Sequence, residues 1–246
     1  MTDPMISPLA FIGPGVELGS NVKIGPGAVI LGPCVIEDGV WIGPGAQIGA
    51  PPEMSDHEQN AAWAGKLLHA GVRVGEGAVI RENVVIHQGS YRETTVGQGA
   101  WILNRAYIAH DVLIGDGVTL SAGVSVGGHC VIGARANIGM NASVHQRTFI
   151  GAGCMVGMGT PVARDLPPHV KAYGSPLRIH GVNTIGLERR GVLAAEIENL
   201  ESTYRSGDLL LDSLCLDDFD GELAAEIAQW REREQRRPAA AVLEGR

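Results

Sequence analysis

The chain has 246 residues, among them 35 Gly, 13 Pro and only four Trp, four Tyr and three Phe, and it carries a net charge of −8. Glycine at about twice its ordinary share, without a G-x-y period, excludes collagen, and 45% hydrophobic residues exclude a disordered polymer. The acidity is uneven: residues 186–246 hold 14 of the 27 acids and 8 of the 19 Lys and Arg, and no polybasic stretch offers a nucleic acid footprint.

Met1 to Ala10 lacks the basic region and long apolar run of a secretory leader. No run of 18 apolar residues exists that could span a membrane. Cys34, Cys130, Cys154 and Cys215 are widely spaced without a C-x-x-C pair, which reads as reduced thiols in a cytoplasmic protein.

From Ile12 an aliphatic residue recurs every six positions, through Leu18, Ile24, Ile30, Ile36, Ile42 and Ile48. The pattern resumes at Val74, Ile80 and Ile86, and again from Val96 to Val162, giving 22 hexads of the form aliphatic-small-x-x-small-x. A period of six fits neither a helix nor a simple alternating strand. It fits short strands joined by tight corners, three to an 18-residue coil, stacked at about 4.8 Å. The aliphatic points inward and the small residue packs at the corner, so Cys34, Cys130 and Cys154, which occupy small positions, read as core. This pattern resembles the hexapeptide-repeat proteins, and the resemblance implies a left-handed hand for an all-β parallel β-helix over residues 1–185.

Residues 50–73 and 91–95 interrupt the repeat and are expected to be extruded loops; the second shifts the register by four. The repeat stops at Pro167-Pro168. Residues 186–246 are expected to form a C-terminal helical domain, with amphipathic helices over 194–207, 208–216 and 221–237.

The 18-residue count places four histidines on one edge. Ile108, Val126 and Val144 share a side, so His110, His129 and His145 follow one another on successive coils, and His87 joins them one coil earlier once the four extra residues are counted. Three readings stand: surface histidines aligned by chance, a metal site like that of the zinc-dependent carbonic anhydrases that also use this fold, or a catalytic base with polar substrate contacts. Only Asp111 offers a carboxylate among them.

The stretches NRAYIAHDVLIGDG, SVGGHCVIG, SVHQ, RDLPPHV and GVNTIGLERRG resemble the UDP-N-acetylglucosamine O-acyltransferases of lipid A biosynthesis, clearly over about residues 72–207. The resemblance implies transfer of a 3-hydroxyacyl chain from acyl carrier protein to the sugar 3-hydroxyl, with no cofactor or metal. It implies His110 as general base supported by Asp111, and the Gly128 N–H as donor to the thioester oxyanion. It further implies His87 and His129 at the sugar, His145 on the same groove, Gln146 at the diphosphate, and Asn183, Arg189 and Arg190 at the nucleotide end. Ordinary helix solvation is the competing reading for the two arginines. Met158 stands where a small residue is common along the acyl groove and is expected to shorten the accepted chain, unless it merely fills a gap. Lys171, Arg178, Arg147 and Arg164 are candidates for docking the acidic carrier protein. A homotrimer with sites between subunits is implied.

The chain also departs from the family. The 50–73 loop does not match the usual acid and lysine, leaving Lys66 as a substitute out of register. Tyr107 replaces a common histidine and Ile185 a common acid. These departures keep open a paralogous transferase acting on a different UDP-amino sugar or acyl donor.

Overall fold

The computed structural model describes residues 4–66 and 69–242. The hexads form a three-sided prism, a left-handed parallel β-helix with sheets of ten, eight and seven strands, one per side. The first sheet runs from Met5–Ile6 to Arg178–Val182, the second from Phe11–Ile12 to Pro161–Val162, and the third from Val16–Leu18 to Phe149–Ile150. All pairings among them are parallel except the last, where Arg178–Val182 folds back antiparallel on Val170–Tyr173.

The period of six arises because each strand is only long enough to point one aliphatic inward before the corner. Ile86, Ile108, Val126 and Val144 lie directly over one another in the second sheet. All four are buried, and each contributes about 1.5–3 kcal/mol by leaving water. Ile48 also pairs with Ile86, so the chain leaves the coil only after Ala50 and rejoins it at Val72–Val74, inside the expected 50–73 bounds. The second interruption likewise ends before 95, because Thr94–Val96 is already a strand paired with Val72–Val74. Cys34, Cys130 and Cys154 are core residues as expected. Burial pushes their thiols up, to about 11 for Cys130 and about 12 for the other two, which leaves them unreactive.

Three helices follow the prism: α1 (Thr184–Arg189), α2 (Ala194–Arg205) and α3 (Gly221–Arg231). They pack on its last coils, and one apolar core runs from Val22 to Ala239. Tyr204 of α2 is buried and donates to the Pro168 carbonyl at 2.7 Å. Trp230 of α3 stacks on Phe149 of the third sheet, with ring centroids 5.7 Å apart. Glu226 of α3 accepts from His169 Nε2 at 2.8 Å and from Arg190 at 3.1 Å, and also pairs with Arg135.

The expected helix over 208–216 is absent. The Asp208 carboxylate accepts from the backbone of Leu210 and Ser213 and from the Ser213 hydroxyl, which closes a turn in place of a helical ladder. Leu211 takes a left-handed φ of 60°, and Arg231 takes up the Leu211 and Leu214 carbonyls. Only a 3-10 turn, Leu216–Asp218, follows. The last helix also ends at Arg231 rather than 237, because the tail returns to the prism, where Asp165 accepts from the Arg237 N–H at 3.0 Å.

Trp230 is fully buried, and its Nε1–H is satisfied by the Leu209 carbonyl at 3.1 Å. Trp230→Ala is therefore expected to cost about 3–5 kcal/mol in a denaturant titration. A loss below about 1 kcal/mol would mean that α3 is not anchored to the prism by this residue.

Candidate active site

The turns between the second and third sheets stack as the strands do, so their residues fall into columns. One column holds Ala109, Gly127 and His145; the next His110, Gly128, Gln146 and Arg164; the third Asp111, His129 and Arg147. The third column is the tight point of each turn, with φ of 60°, 62° and 63° on these non-glycine residues. His87 lies in the strand Val85–His87, one coil before His110. The four histidines thus share an edge but occupy three columns, and only His110 and His129 pack together, edge to face with centroids 4.8 Å apart.

His110 Nδ1 donates to Asp111 Oδ2 at 2.7 Å. Asp111 is completely buried, and its oxygens are saturated by donors from the 91–95 interruption and its preceding residue. Oδ2 also accepts from Ser90 Oγ at 2.6 Å, while Oδ1 accepts from the Ser90, Tyr91 and Arg92 N–H groups at 2.8, 3.2 and 3.3 Å. Burial by itself raises the Asp111 pKa. The Ser90 hydroxyl, His110 and the loop N–H groups outweigh it and hold the carboxyl far below the usual range.

With Nδ1 turned to Asp111, the Nε2 edge of His110 faces Gly128. A Cβ on Gly128 would lie 2.7 Å from His110 Cε1 and 2.8 Å from Nε2, so any side chain there would push the imidazole out of this position. The Gly128 N–H donates to no acceptor among the described residues. His129 completes the wall. Its Nδ1 is buried without a hydrogen bond, 3.5 Å from Asp111 Oδ2, and the exposed Tyr91 ring stacks on it at 5.6 Å. Burial, followed by the Arg147 charge, pushes the His129 pKa down.

His110, Asp111 and His129 are close enough to suggest a metal trio. The donor set does not fit one. Both Asp111 oxygens already accept, five bonds in all, and His110 Nδ1 is spent on one of them. An ion on Oδ2 would have to displace the Ser90 hydroxyl and the His110 imidazole.

A second polar group lies on the adjacent strand. His87 Nδ1 donates to the Pro51 carbonyl at 2.7 Å and its Nε2 lies 3.6 Å from Glu53, which also accepts from the Tyr107 hydroxyl. Burial, then Glu53, pushes the Tyr107 pKa up. The acid contributed by the 50–73 loop is therefore Glu53, which the sequence reading missed, although it directly follows Pro51-Pro52. Lys66 pairs instead with Glu58 at 3.0 Å inside the loop.

The remaining predicted residues lie elsewhere in the chain. His145, Gln146 and Arg147 are exposed two coils beyond His110. Asn183 caps α1 by accepting from Gly186, and its amide donates to the Gly153 carbonyl at 2.9 Å. Arg190 is held by Glu222 and Glu226 at 3.0 and 3.1 Å, so it pins α3, whereas Arg189 is exposed. Met158, 73% exposed, follows the first-sheet strand Met155–Val156 and so sits at the opposite edge of the second sheet from His110. Of the four basic candidates, Arg147 and Arg164 lie on the His110 edge and Lys171 and Arg178 on the first sheet. No helix among the described residues is long and apolar enough to cross a membrane.

Residues 165–233 match the family described as UDP N-acetylglucosamine O-acyltransferase, domain 2, and residues 2–32 and 93–128 match bacterial transferase hexapeptide repeats. An acyl-[acyl-carrier-protein]–UDP-N-acetylglucosamine O-acyltransferase from Brucella ovis is 42% identical over 218 residues, covering 83% of this chain and 78% of that protein. The one from Brucella melitensis biotype 2 matches equally. A UDP-N-acetylglucosamine acyltransferase structure from Bacteroides fragilis superposes with a TM-score of 0.74 at 29% identity, over 96% of this chain and 99% of that one. One from Campylobacter jejuni gives 0.77 at 24% identity over 97% and 98%, a likeness of fold.

The depressed Asp111 pKa has a measurable sign. Its stabilising contribution is present above the ordinary aspartate value of about 3.9 and is lost as pH falls toward the folded-state value. Asp111→Asn is expected to melt lower than the parent at pH 7, with the gap narrowing on acidification below pH 4. A gap that widens on acidification would contradict the charged, buried carboxylate.

Proposed function

The chain belongs to the acyl-[acyl-carrier-protein]–UDP-N-acetylglucosamine O-acyltransferase family of lipid A synthesis, and from that premise we propose that His110 is the general base of the transfer. The observation that carries this is the single corner where the Asp111-bound imidazole turns its Nε2 edge to Gly128. Nε2 takes the proton from the sugar 3-hydroxyl as that oxygen attacks the thioester carbonyl of a 3-hydroxyacyl chain on acyl carrier protein. The developing oxyanion is met by the Gly128 N–H, which has no other acceptor among the described residues. Collapse of the tetrahedral intermediate breaks the C–S bond, and the imidazolium returns its proton to the departing thiolate. Asp111 stabilises the imidazolium and keeps the ring oriented.

His129 walls the reacting centre, and His87, Glu53 and Tyr107 form a polar surface for the acceptor sugar. His145 and Gln146 continue the groove toward the diphosphate, and Arg189 and Asn183, which lie toward the Gly153 edge of the prism, take the nucleotide end across a subunit boundary. Met158 and His110 lie on opposite edges of one sheet. A homotrimer, in which the edge of one prism meets a face of the next, lets residues of both edges line one cleft. Arg147 and Arg164 extend the His110 edge with positive charge, which suits an acidic carrier protein.

The Glu53–Tyr107 pair favours a second reading of the acceptor alone, in which the sugar is a different UDP-amino sugar. A mass-spectrometric assay crossing UDP-sugars with acyl carrier proteins of several chain lengths separates the two. Product from UDP-N-acetylglucosamine is expected; none from it, with turnover of another sugar, would move the acceptor assignment.

In the same assay His110→Ala is expected to lose about 10²–10⁴ in kcat with the fold intact. Gly128→Ala, which forces the imidazole aside, is expected to lose about a hundredfold. Met158→Gly is expected to shift donor preference toward longer chains, and an unchanged chain-length profile would remove its role.

A further inference from the structure

The segment that shifts the repeat by four residues is wrapped around one side chain. Asp111 sits at a left-handed corner with no exposed surface, where a carboxylate without donors would be costly. The three successive N–H groups of Ser90, Tyr91 and Arg92 converge on Oδ1, an anion-holding backbone concavity. The Ser90 hydroxyl occupies Oδ2, the same oxygen that faces His110. The Arg92 guanidinium donates through Nε and Nη2 to the Asp111 carbonyl at 2.9 and 2.5 Å, and Nη2 reaches the His129 carbonyl at 3.4 Å, so it clamps the corner backbone of two coils. Thr94 Oγ1 accepts from the Asp111 N–H at 2.9 Å. The loop closes only because residue 89 is glycine, where a Cβ would lie 1.6 Å from the Arg92 carbonyl oxygen and 3.2 Å from Asp111 Oδ1.

We propose that Ser90 is a positioning residue for the acyl transfer, fixing the Asp111 carboxylate so that His110 keeps its proton on Nδ1 and presents a bare Nε2 to the acceptor. This rests on His110 being the base. Ser90 shares Oδ2 with the imidazole, so its hydroxyl sets both where that oxygen points and how strongly it draws the His110 proton. With the hydroxyl gone, Oδ2 has His110 as its one remaining donor and holds the protonated imidazole more tightly.

Ser90→Ala is expected to lower kcat about tenfold, the worth of a hydrogen bond to a charged group. The KM for both substrates should stay within about twofold, and the acidic limb of the pH–kcat/KM profile should move to higher pH. Ser90→Thr, which keeps the hydroxyl, is expected to restore both rate and profile. A Ser90→Ala enzyme with the parent's kcat and profile overturns the proposal, as does a loss that Ser90→Thr fails to repair. Should Ser90→Ala fold poorly, Ser90→Cys, a weaker donor, should show the same shift at smaller size, and an unshifted profile there counts equally against it. His110→Ala, assayed in parallel, separates the two claims. Full turnover there removes the base itself, whereas an inactive His110→Ala beside an unaffected Ser90→Ala removes only the positioning role.

Discussion

Ile86, Ile108, Val126 and Val144 stack one above another inside the prism, and every residue that follows them around the corner inherits that stacking. In a strand, a slip of one residue would carry the inward aliphatic to the outside, so the burial of each rung enforces the register of the next. The site needs this rigidity. The backbone of Asp111, His129 and Arg147 is held in the same left-handed turn on three successive coils, which fixes the spacing between His110 and Gly128. A loop would not hold an imidazole edge against a glycine with that consistency.

Regular coils provide the backbone of the site but little of its electrostatics. That comes from the two places where the repeat breaks. The 50–73 loop returns Pro51 and Glu53 to His87 and Tyr107. The residues from Ser90 to Thr94 enclose Asp111 and supply enough donors to keep a fully buried carboxylate charged. The carboxylate then orients His110, and Gly128 leaves room for its Nε2 edge. The C-terminal helices add a separate set of charges. There, Glu226 gathers His169, Arg135 and Arg190, which ties α3 to the end of the prism.

The prism was legible because a period of six is rare and each aliphatic in it has a geometric reason. The histidine edge was legible for the same reason, by counting eighteens and adding four at the second interruption. Which histidines touch was not, because His87, His110, His129 and His145 sit at different places in their hexads, and column membership depends on the turn conformation. Ser90, Tyr91 and Arg92 were invisible as ligands of Asp111, since three of their four bonds to its carboxylate come from backbone N–H groups that any residue but proline could supply at those positions. Residues 208–216 carried a helical pattern of leucines, but Asp208 captured the local N–H groups and a turn buried Leu211 and Leu214. Glu53 lay in a segment without periodicity, where no count could place it.

The central claim is that His110 stands with its proton on Nδ1, toward Asp111, and with Nε2 bare toward Gly128. Nitrogen-15 NMR of the histidine rings near neutral pH, with His110 assigned by its absence in His110→Ala, reads this directly. A protonated, hydrogen-bonded Nδ1 and an unprotonated Nε2 are expected for the neutral ring. The opposite tautomer, with the proton on Nε2, would contradict the claim.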